Sequence, residues 1–289
     1  MDAKQAAYPP DGHVHTEFSW DAPGGSMERT CARAVELGLP SIAFTEHADF
    51  AVWTPLDPNR ELPDWLARHR QADGSIVPPK LDVEGYLACL ERCRDRFPEL
   101  RILSGVELSE PHWHPGETAD LIDLGRFDRR LGSVHSIRHT DVSARDWELE
   151  PGEAYDLLNA ETVVREYLAE VARLAAGSEA FDVLAHIDFP IRYWPVGAGP
   201  WSPYPFEAEY RHALRTLAGT DRAMEVNTQV PLHPVIVGWW REEGGHTLTF
   251  GSDAHSPDVL AKGLREAAAM VEAAGFRPGK HPFDLWARA

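Results

Sequence analysis

His13 and His15 stand one residue apart in Gly12-His13-Val14-His15-Thr16. On a strand, side chains at i and i+2 share a face, so both imidazoles can aim at one metal ion while Val14 turns away. Asp21 follows a short polar loop and offers a carboxylate to the same neighbourhood. A lone His-x-His is usually chance. Its weight comes from further segments of the same type: Thr45-Glu46-His47, Gly105-Val106-Glu107, Val134-His135, His186-Ile187-Asp188 and Asp253-Ala254-His255. Taken singly, His135 would be a satisfied polar residue and Asp253 a cap or turn residue. Their coincidence at strand ends points instead to a metal centre. Imidazole mixed with carboxylate suits Zn, Mn or Fe, and the lack of thiolates argues against a structural cysteine-type zinc site.

These residues need strands to deliver them, and the pattern supplies seven. Residues 11–16 read as the first strand. Ser26 is placed to cap a helix over Met27–Leu37, with Glu28 in its first turn and Gly38 after it. Ser41–Thr45 is the second strand. Asp82 is placed to cap a helix over Val83–Phe97, whose apolar residues follow helical spacing. Arg101–Leu108 and Leu131–Ser136 are the third and fourth strands. Asn159 caps a long helix through Ala176. Phe181–Ala185, Ala223–Asn227 and Thr247–Ser252 are the last three strands, with helices expected around 206–217, 235–243 and Asp258–Ala274. Alternating strands and helices imply a barrel of parallel strands, with chemistry at their C-terminal ends.

Two stretches break the rhythm. Residues 48–81, with Pro55, Pro58, Pro63, Pro78, Pro79, Trp53 and Trp65, form a long insertion. It reads equally as a lid or substrate wall and as a surface elaboration. A second Pro- and Trp-rich loop spans 190–205. Residues 138–158 read as polar and irregular. His112-Trp113-His114, between Pro111 and Pro115, reads as a loop near the site mouth rather than a ligand pair.

The whole chain, 1–289, is expected to be one domain. With 43% hydrophobic and 26% charged residues it has a globular composition. A formal charge of −18 argues against an anionic membrane or a long nucleic acid as partner. Cys31, Cys89 and Cys93 are too few and uneven for a disulfide framework. No stretch is apolar enough for a signal peptide or a membrane span, so a reduced cytoplasmic setting is the expectation. The oligomeric state is not legible.

The segments His13-Val14-His15 with Asp21, Thr45-Glu46-His47, Gly105-Val106-Glu107, Gly132-Ser133-Val134-His135, His186-Ile187-Asp188, Glu225-Val226-Asn227-Thr228 and Gly251-Ser252-Asp253-Ala254-His255-Ser256-Pro257 together resemble the polymerase and histidinol phosphatase (PHP) family. The histidinol-phosphatase-like branch is the nearest in these segments. The resemblance implies a distorted (β/α)7 barrel holding two or three divalent transition-metal ions. It assigns His13, His15, Glu107 and Asp253 to a first ion, and Asp21, His47 and His255 to a second. His135 and His186 fall to a third, which shares Glu107 as a bridging carboxylate. A hydroxide between two ions would be the nucleophile. Glu46 either orients a neighbouring histidine or faces a helix.

The residues expected to carry catalysis are Glu107, His47, Arg192 and Arg138. The two arginines are there as phosphate ligands, since a guanidinium binds phosphate in two-pronged fashion. One departure stands out: after Thr228 the branch usually continues through a basic residue, whereas this chain reads Gln229-Val230-Pro231. The leading expectation is hydrolysis of a small phosphorylated metabolite, histidinol phosphate first. The alternatives are a phosphodiesterase or nuclease acting on nucleotides or oligonucleotides, and a non-catalytic binding module on a degenerate barrel.

Overall fold

The structure is a computed structural model and describes residues 8–57, 59, 61–140, 146–281, 283 and 285–289. Pro58 of the insertion, residues 141–145 of the irregular stretch and residues 1–7 lie outside the described residues.

Seven parallel strands form the frame: β1 (Asp11–Val14), β2 (Ser41–Ala48), β3 (Arg101–Ser109), β4 (Arg129–Ser133), β7 (Val183–Leu184), β8 (Ala223–Asn227) and β9 (Thr247–Gly251). They are hydrogen-bonded neighbours in that order. The sheet curls until its ends meet. Val14 bridges Ala254 in parallel fashion, His15 N–H donates to the Ala254 carbonyl at 2.9 Å, and Asp253 N–H donates to the His13 carbonyl at 2.9 Å. This is the barrel of parallel strands that the alternation implies, in the distorted (β/α)7 form that the family resemblance implies. Every residue of β2 is buried, as suits a parallel strand covered on both faces.

The helices α1 (Met27–Leu37), α3 (Val83–Arg96), α4 (Pro115–Gly125), α6 (Ala160–Gly177), α7 (Glu207–Ala218), α8 (Pro234–Glu242) and α9 (Leu264–Ala273) accompany the strands. Their ends follow the capping chemistry. Ser26 accepts from Arg29 N–H, Asp82 from Gly85 N–H and Asn159 from Thr162 N–H, while Gly38 ends α1 in the left-handed region at φ 72°. Along α6, Val163, Val164, Tyr167, Leu168, Val171 and Leu174 are all buried. Truncating one of them, such as Leu168→Ala, is expected to cost about 2–5 kcal/mol.

Several expectations are corrected. The stretch 138–158 is not irregular where described. It carries an antiparallel hairpin, β5 (Ile137–Thr140) against β6 (Asp146–Leu149), followed by α5 (Pro151–Leu157) with Pro151 in its first turn. The fifth barrel strand contracts to Val183–Leu184. The final helix is not continuous from Asp258. A 3-10 turn spans Pro257–Val259, then Ala261 at φ 59° and Gly263 at φ 76° break the chain before α9 begins. Tertiary contacts hold that break open: Asp11 accepts from Ala261 N–H, and the Thr228 hydroxyl donates to the Lys262 carbonyl. Two C-terminal strands, β10 (Phe276–Arg277) and β11 (Trp286–Arg288), add an antiparallel edge to β9.

In the insertion, the short helix α2 (Asp64–Ala67) helps build a small cluster of Trp53, Leu66 and Ile76, against which Trp20 and Trp65 pack. No helix among the described residues is long and apolar enough to cross a membrane.

Candidate metal centre

Register does the first part of the positioning. His47 on β2 lies directly opposite Glu107 on β3, and Asn227 on β8 opposite Gly251 on β9. Both pairs lie at or next to the C-terminal ends of their ladders. Gly251 matters through what it lacks. A Cβ there would meet Glu225 Oε1 at 2.0 Å and His13 Cβ at 2.5 Å, the two groups that must touch.

The donor atoms converge around Glu107, which is fully buried. Its Oε2 lies 3.1 Å from His13 Nε2 and 3.3 Å from His15 Nε2, while His15 Nε2 lies 3.2 Å from Asp253 Oδ1. Its other oxygen, Oε1, lies 2.8 Å from His186 Nε2 and 3.3 Å from His135 Nε2. Asp21 Oδ2 sits 3.3 Å from His47 Nε2 and 3.0 Å from His255 Nε2. The nine expected ligands thus meet in three adjoining groups. They also interlock, since His15, His47 and His255 lie close enough to share one ion, as do His47, Glu107 and His135.

The donor set fits cations. His13 spends its Nδ1 proton on Glu225 Oε1 at 2.7 Å, and His15 spends its own on the Ser19 hydroxyl at 3.0 Å. With both imidazoles neutral, their Nε2 lone pairs would face each other at 3.0 Å, an arrangement that a proton or a cation relieves. Asp21 Oδ1, His47 Nδ1 and His186 Nδ1 are buried with no hydrogen-bond partner. Burial alone would raise the Glu107 carboxyl, but His13, His135 and His47 hold it well below the usual range. Burial likewise works against charge on His47, yet Asp21, Asp49 and Glu107 raise it to about 10. Burial drives His186 down to about 4. Without a cation the carboxylates hold protons on imidazoles, and binding of an ion would release them.

Carboxylates behind the histidines fix their ring orientation. The Ser19 hydroxyl, which accepts from His15, donates to Glu46 Oε2 at 2.6 Å. Glu46 therefore acts on a histidine rather than facing a helix. A second relay has the same form: His135 Nδ1 donates to the Ser109 hydroxyl at 2.7 Å, and that hydroxyl donates to Asp49 Oδ1. His255 Nδ1 donates to the Asp253 carbonyl at 2.9 Å. Glu46 and Glu225 stand inside recognisable segments, but sequence reasoning missed the role of Glu225 and missed Ser19, Asp49 and Ser109 altogether. Seryl hydroxyls at strand ends carry no pattern of their own.

The groups form one side of a cavity of about 520 Å³ whose lining also includes Trp20, Trp65, Glu150, Phe189, Tyr193 and Gln229. Arg192 lines it from the 3-10 turn Phe189–Tyr193 and donates to Asp253 Oδ2. Arg138 does not line this cavity. Its guanidinium, on β5, lies 3.9 Å from the centre of the Trp113 ring. His112 and Trp113 turn away from the mouth too: His112 Nε2 and Trp113 Nε1 donate to Glu170 Oε1 on α6 at 2.6 and 2.8 Å.

The PHP domain model matches residues 11–229. The histidinol-phosphatase of Lactococcus lactis is 25% identical over 279 residues, covering 92% of this chain and 91% of the relative. A probable histidinol-phosphatase of Thermotoga maritima is 24% identical over 266 residues, covering 89% of this chain and 88% of the relative. Among solved structures, the histidinol phosphate phosphatase of Lactococcus lactis, crystallised with zinc, L-histidinol and phosphate, superposes with a TM-score of 0.76. That comparison covers 97% of this chain and 99% of the other at 22% identity, and speaks for the fold. The family match runs from the first barrel strand past the sixth, through the segments that bring most of these donors together, and the chain belongs to the PHP domain family.

Proposed function

We propose that this chain is a metal-dependent phosphatase that hydrolyses histidinol phosphate. The observation that carries the reading is the placement of Glu107, whose two oxygens face two different pairs of histidines at the floor of a substrate-sized cavity. Relatives over nearly the full chain length bear the name histidinol-phosphatase, which supports the choice of substrate.

In this reading His13, His15, Glu107 and Asp253 hold one ion; Asp21, His47 and His255 hold a second. His135 and His186 hold a third together with Glu107. Zinc is the first candidate, with Mn and Fe behind it. When bound, such ions polarise phosphoryl oxygens and lower the pKa of a coordinated water. Glu107 keeps the ions adjacent. Arg192 faces the non-bridging oxygens of the ester. Among the described cavity residues it is the cationic side chain besides the imidazoles, since Gln229 and Val230 stand where the branch carries a basic residue. Trp20, Trp65, Phe189 and Tyr193 enclose the organic part of the substrate.

The test is phosphate release from histidinol phosphate, a panel of other phosphomonoesters and an aryl phosphodiester, with Zn or Mn supplied. Preference for histidinol phosphate supports the reading. Turnover confined to the diester would replace it with the phosphodiesterase alternative.

A further inference from the structure

We propose that Asp49 couples the aromatic wall of the cavity to the metal-binding histidines, so that filling the metal site and closing the wall on substrate are linked. This inference rests on the metal reading above. Asp49 lies just past the end of β2, two residues after His47. Its two carboxylate oxygens point to two different structures.

Oδ2 accepts from the Trp20 indole N–H at 2.6 Å. Trp20 lines the cavity and immediately precedes Asp21. Its ring lies 5.5 Å from that of Trp65 and edge-on to His69 at 5.6 Å, both residues of the insertion. The wall is thus rooted in the small cluster of Trp53, Leu66 and Ile76.

Oδ1 faces the metal side. It accepts from the Ser109 hydroxyl, which in turn accepts from His135 Nδ1. It also lies 3.6 Å from His135 Nδ1 and 3.7 Å from His47 Nδ1, the latter buried and without a hydrogen-bond partner. In the assignment proposed above His135 and His47 serve different ions, and both contact Glu107. A carboxylate is rigid and planar, so a shift of Oδ2 with Trp20 rotates Oδ1 against both imidazoles. Conversely, ions that fix His47 and His135 fix the height of Trp20. Coupling between two binding events is reciprocal. Asp49 is a positioning residue, since it reaches neither ion nor substrate in this account. Partners of this kind typically contribute about 10–100-fold to metal affinity.

The experiment titrates metal-stripped protein with zinc chloride. Tryptophan emission and bound zinc are followed together, and steady-state kinetics on histidinol phosphate are measured for each zinc-loaded variant. In the wild type, emission changes as zinc fills the site. Trp20→Phe keeps an aromatic side chain in the wall but removes the indole, and with it both the donor and the fluorophore. It is expected to bind the same amount of zinc, to lose most of the emission change, and to raise KM about fivefold, the worth of one hydrogen bond, with kcat little altered. Asp49→Asn is expected to bind zinc on the order of tenfold more weakly, and adding Trp20→Phe to it should raise KM no further. An emission change in Trp20→Phe equal to that of wild type, or unchanged zinc affinity in Asp49→Asn, overturns the coupling. If Asp49→Asn does not fold, Trp20→Phe decides alone, because it leaves Asp49 in place. A wild-type protein that takes up no zinc, manganese or iron sinks the metal reading itself. Zinc uptake with no Trp20 response sinks only the coupling.

Discussion

Arg192 donates to one carboxylate oxygen of Asp253, while the other oxygen of Asp253 lies 3.2 Å from His15 Nε2. One carboxylate therefore stands between the expected phosphate-binding cation and the expected metal ligands. The guanidinium also lies 4.7 Å from the centre of the Phe189 ring, which limits its swing. It is held at the cavity surface before any ester arrives.

Arg192→Ala should therefore lose catalytic efficiency on a phosphomonoester by on the order of a hundredfold, or ~3 kcal/mol of transition-state stabilisation. Metal content should persist, because no arginine is a ligand. Arg192→Lys should recover only part, since an ammonium cannot make the two-pronged contact. Arg138→Ala serves as the comparison. With its guanidinium over Trp113 and away from the cavity, it should leave the kinetics near those of the wild type. Unchanged kinetics in Arg192→Ala would remove it from the mechanism.

Glu107→Gln addresses the bridge. An amide keeps the shape but offers one neutral acceptor oxygen in place of two charged ones. Metal content and turnover should fall together, with activity down at least about a hundredfold. Full occupancy by elemental analysis, together with near-normal turnover, would show that Glu107 does not hold the ions together.

Glu46 tests the relay behind His15. Glu46→Gln still accepts from one hydroxyl but loses the charge that draws the Ser19 proton away from His15. Zinc affinity should drop about 10–100-fold, while the fold survives. Competition with a calibrated chelator measures the affinity. Affinity equal to that of the wild type would make the relay structural only.

What the sequence made legible, and what it hid, follows from how far each feature depends on distant contacts. The barrel strands announce themselves because β2 and β3 are largely buried and carry His47 and Glu107 near their C-terminal ends. His13 and His15 obey the period of two, and their Nε2 atoms meet as that period implies. The relays through Ser109 and Asp49 were hidden, because a hydroxyl or a post-strand carboxylate has meaning only once β2 and β3 are aligned. The break before α9 was hidden for a related reason. Its local composition favours helix, but Asp11 on the adjoining first strand captures Ala261 N–H. The hairpin β5–β6 eluded pattern reading because each strand has only four residues: β5 shows no apolar alternation, and that of Asp146-Trp147-Glu148-Leu149 is too short to stand out. Arg138 lies on that hairpin with its guanidinium over the Trp113 ring, a contact that its distance from His135 in sequence does not reveal.

Glu170 offers a test of stability away from the metal centre. This carboxylate is buried on α6 and ties that helix to the turn before α4. Oε1 accepts from His112 Nε2 and Trp113 Nε1, and Oε2 accepts from Arg173 Nε at 2.8 Å. Burial pushes its pKa up, but the hydrogen bonds from His112, Arg173 and Trp113 outweigh that and hold it at about 2. A carboxyl whose folded pKa lies below its unfolded value stabilises the fold while ionised. Its contribution is fully present above the unfolded value of about 4.3 and is lost as pH falls from there toward 2. The exposure of Arg173 weakens the ion pair, so the contribution at neutral pH should be on the order of 2 kcal/mol. Glu170→Gln should accordingly be less stable than wild type by about that amount at pH 7. The gap should narrow steadily below pH 4 and close near pH 2. Urea unfolding of both proteins in metal-stripped form, across that pH range, isolates the effect from loss of ions at low pH. A gap that stays constant from pH 7 to pH 2 would mean that packing, and not the charge of Glu170, links the two elements.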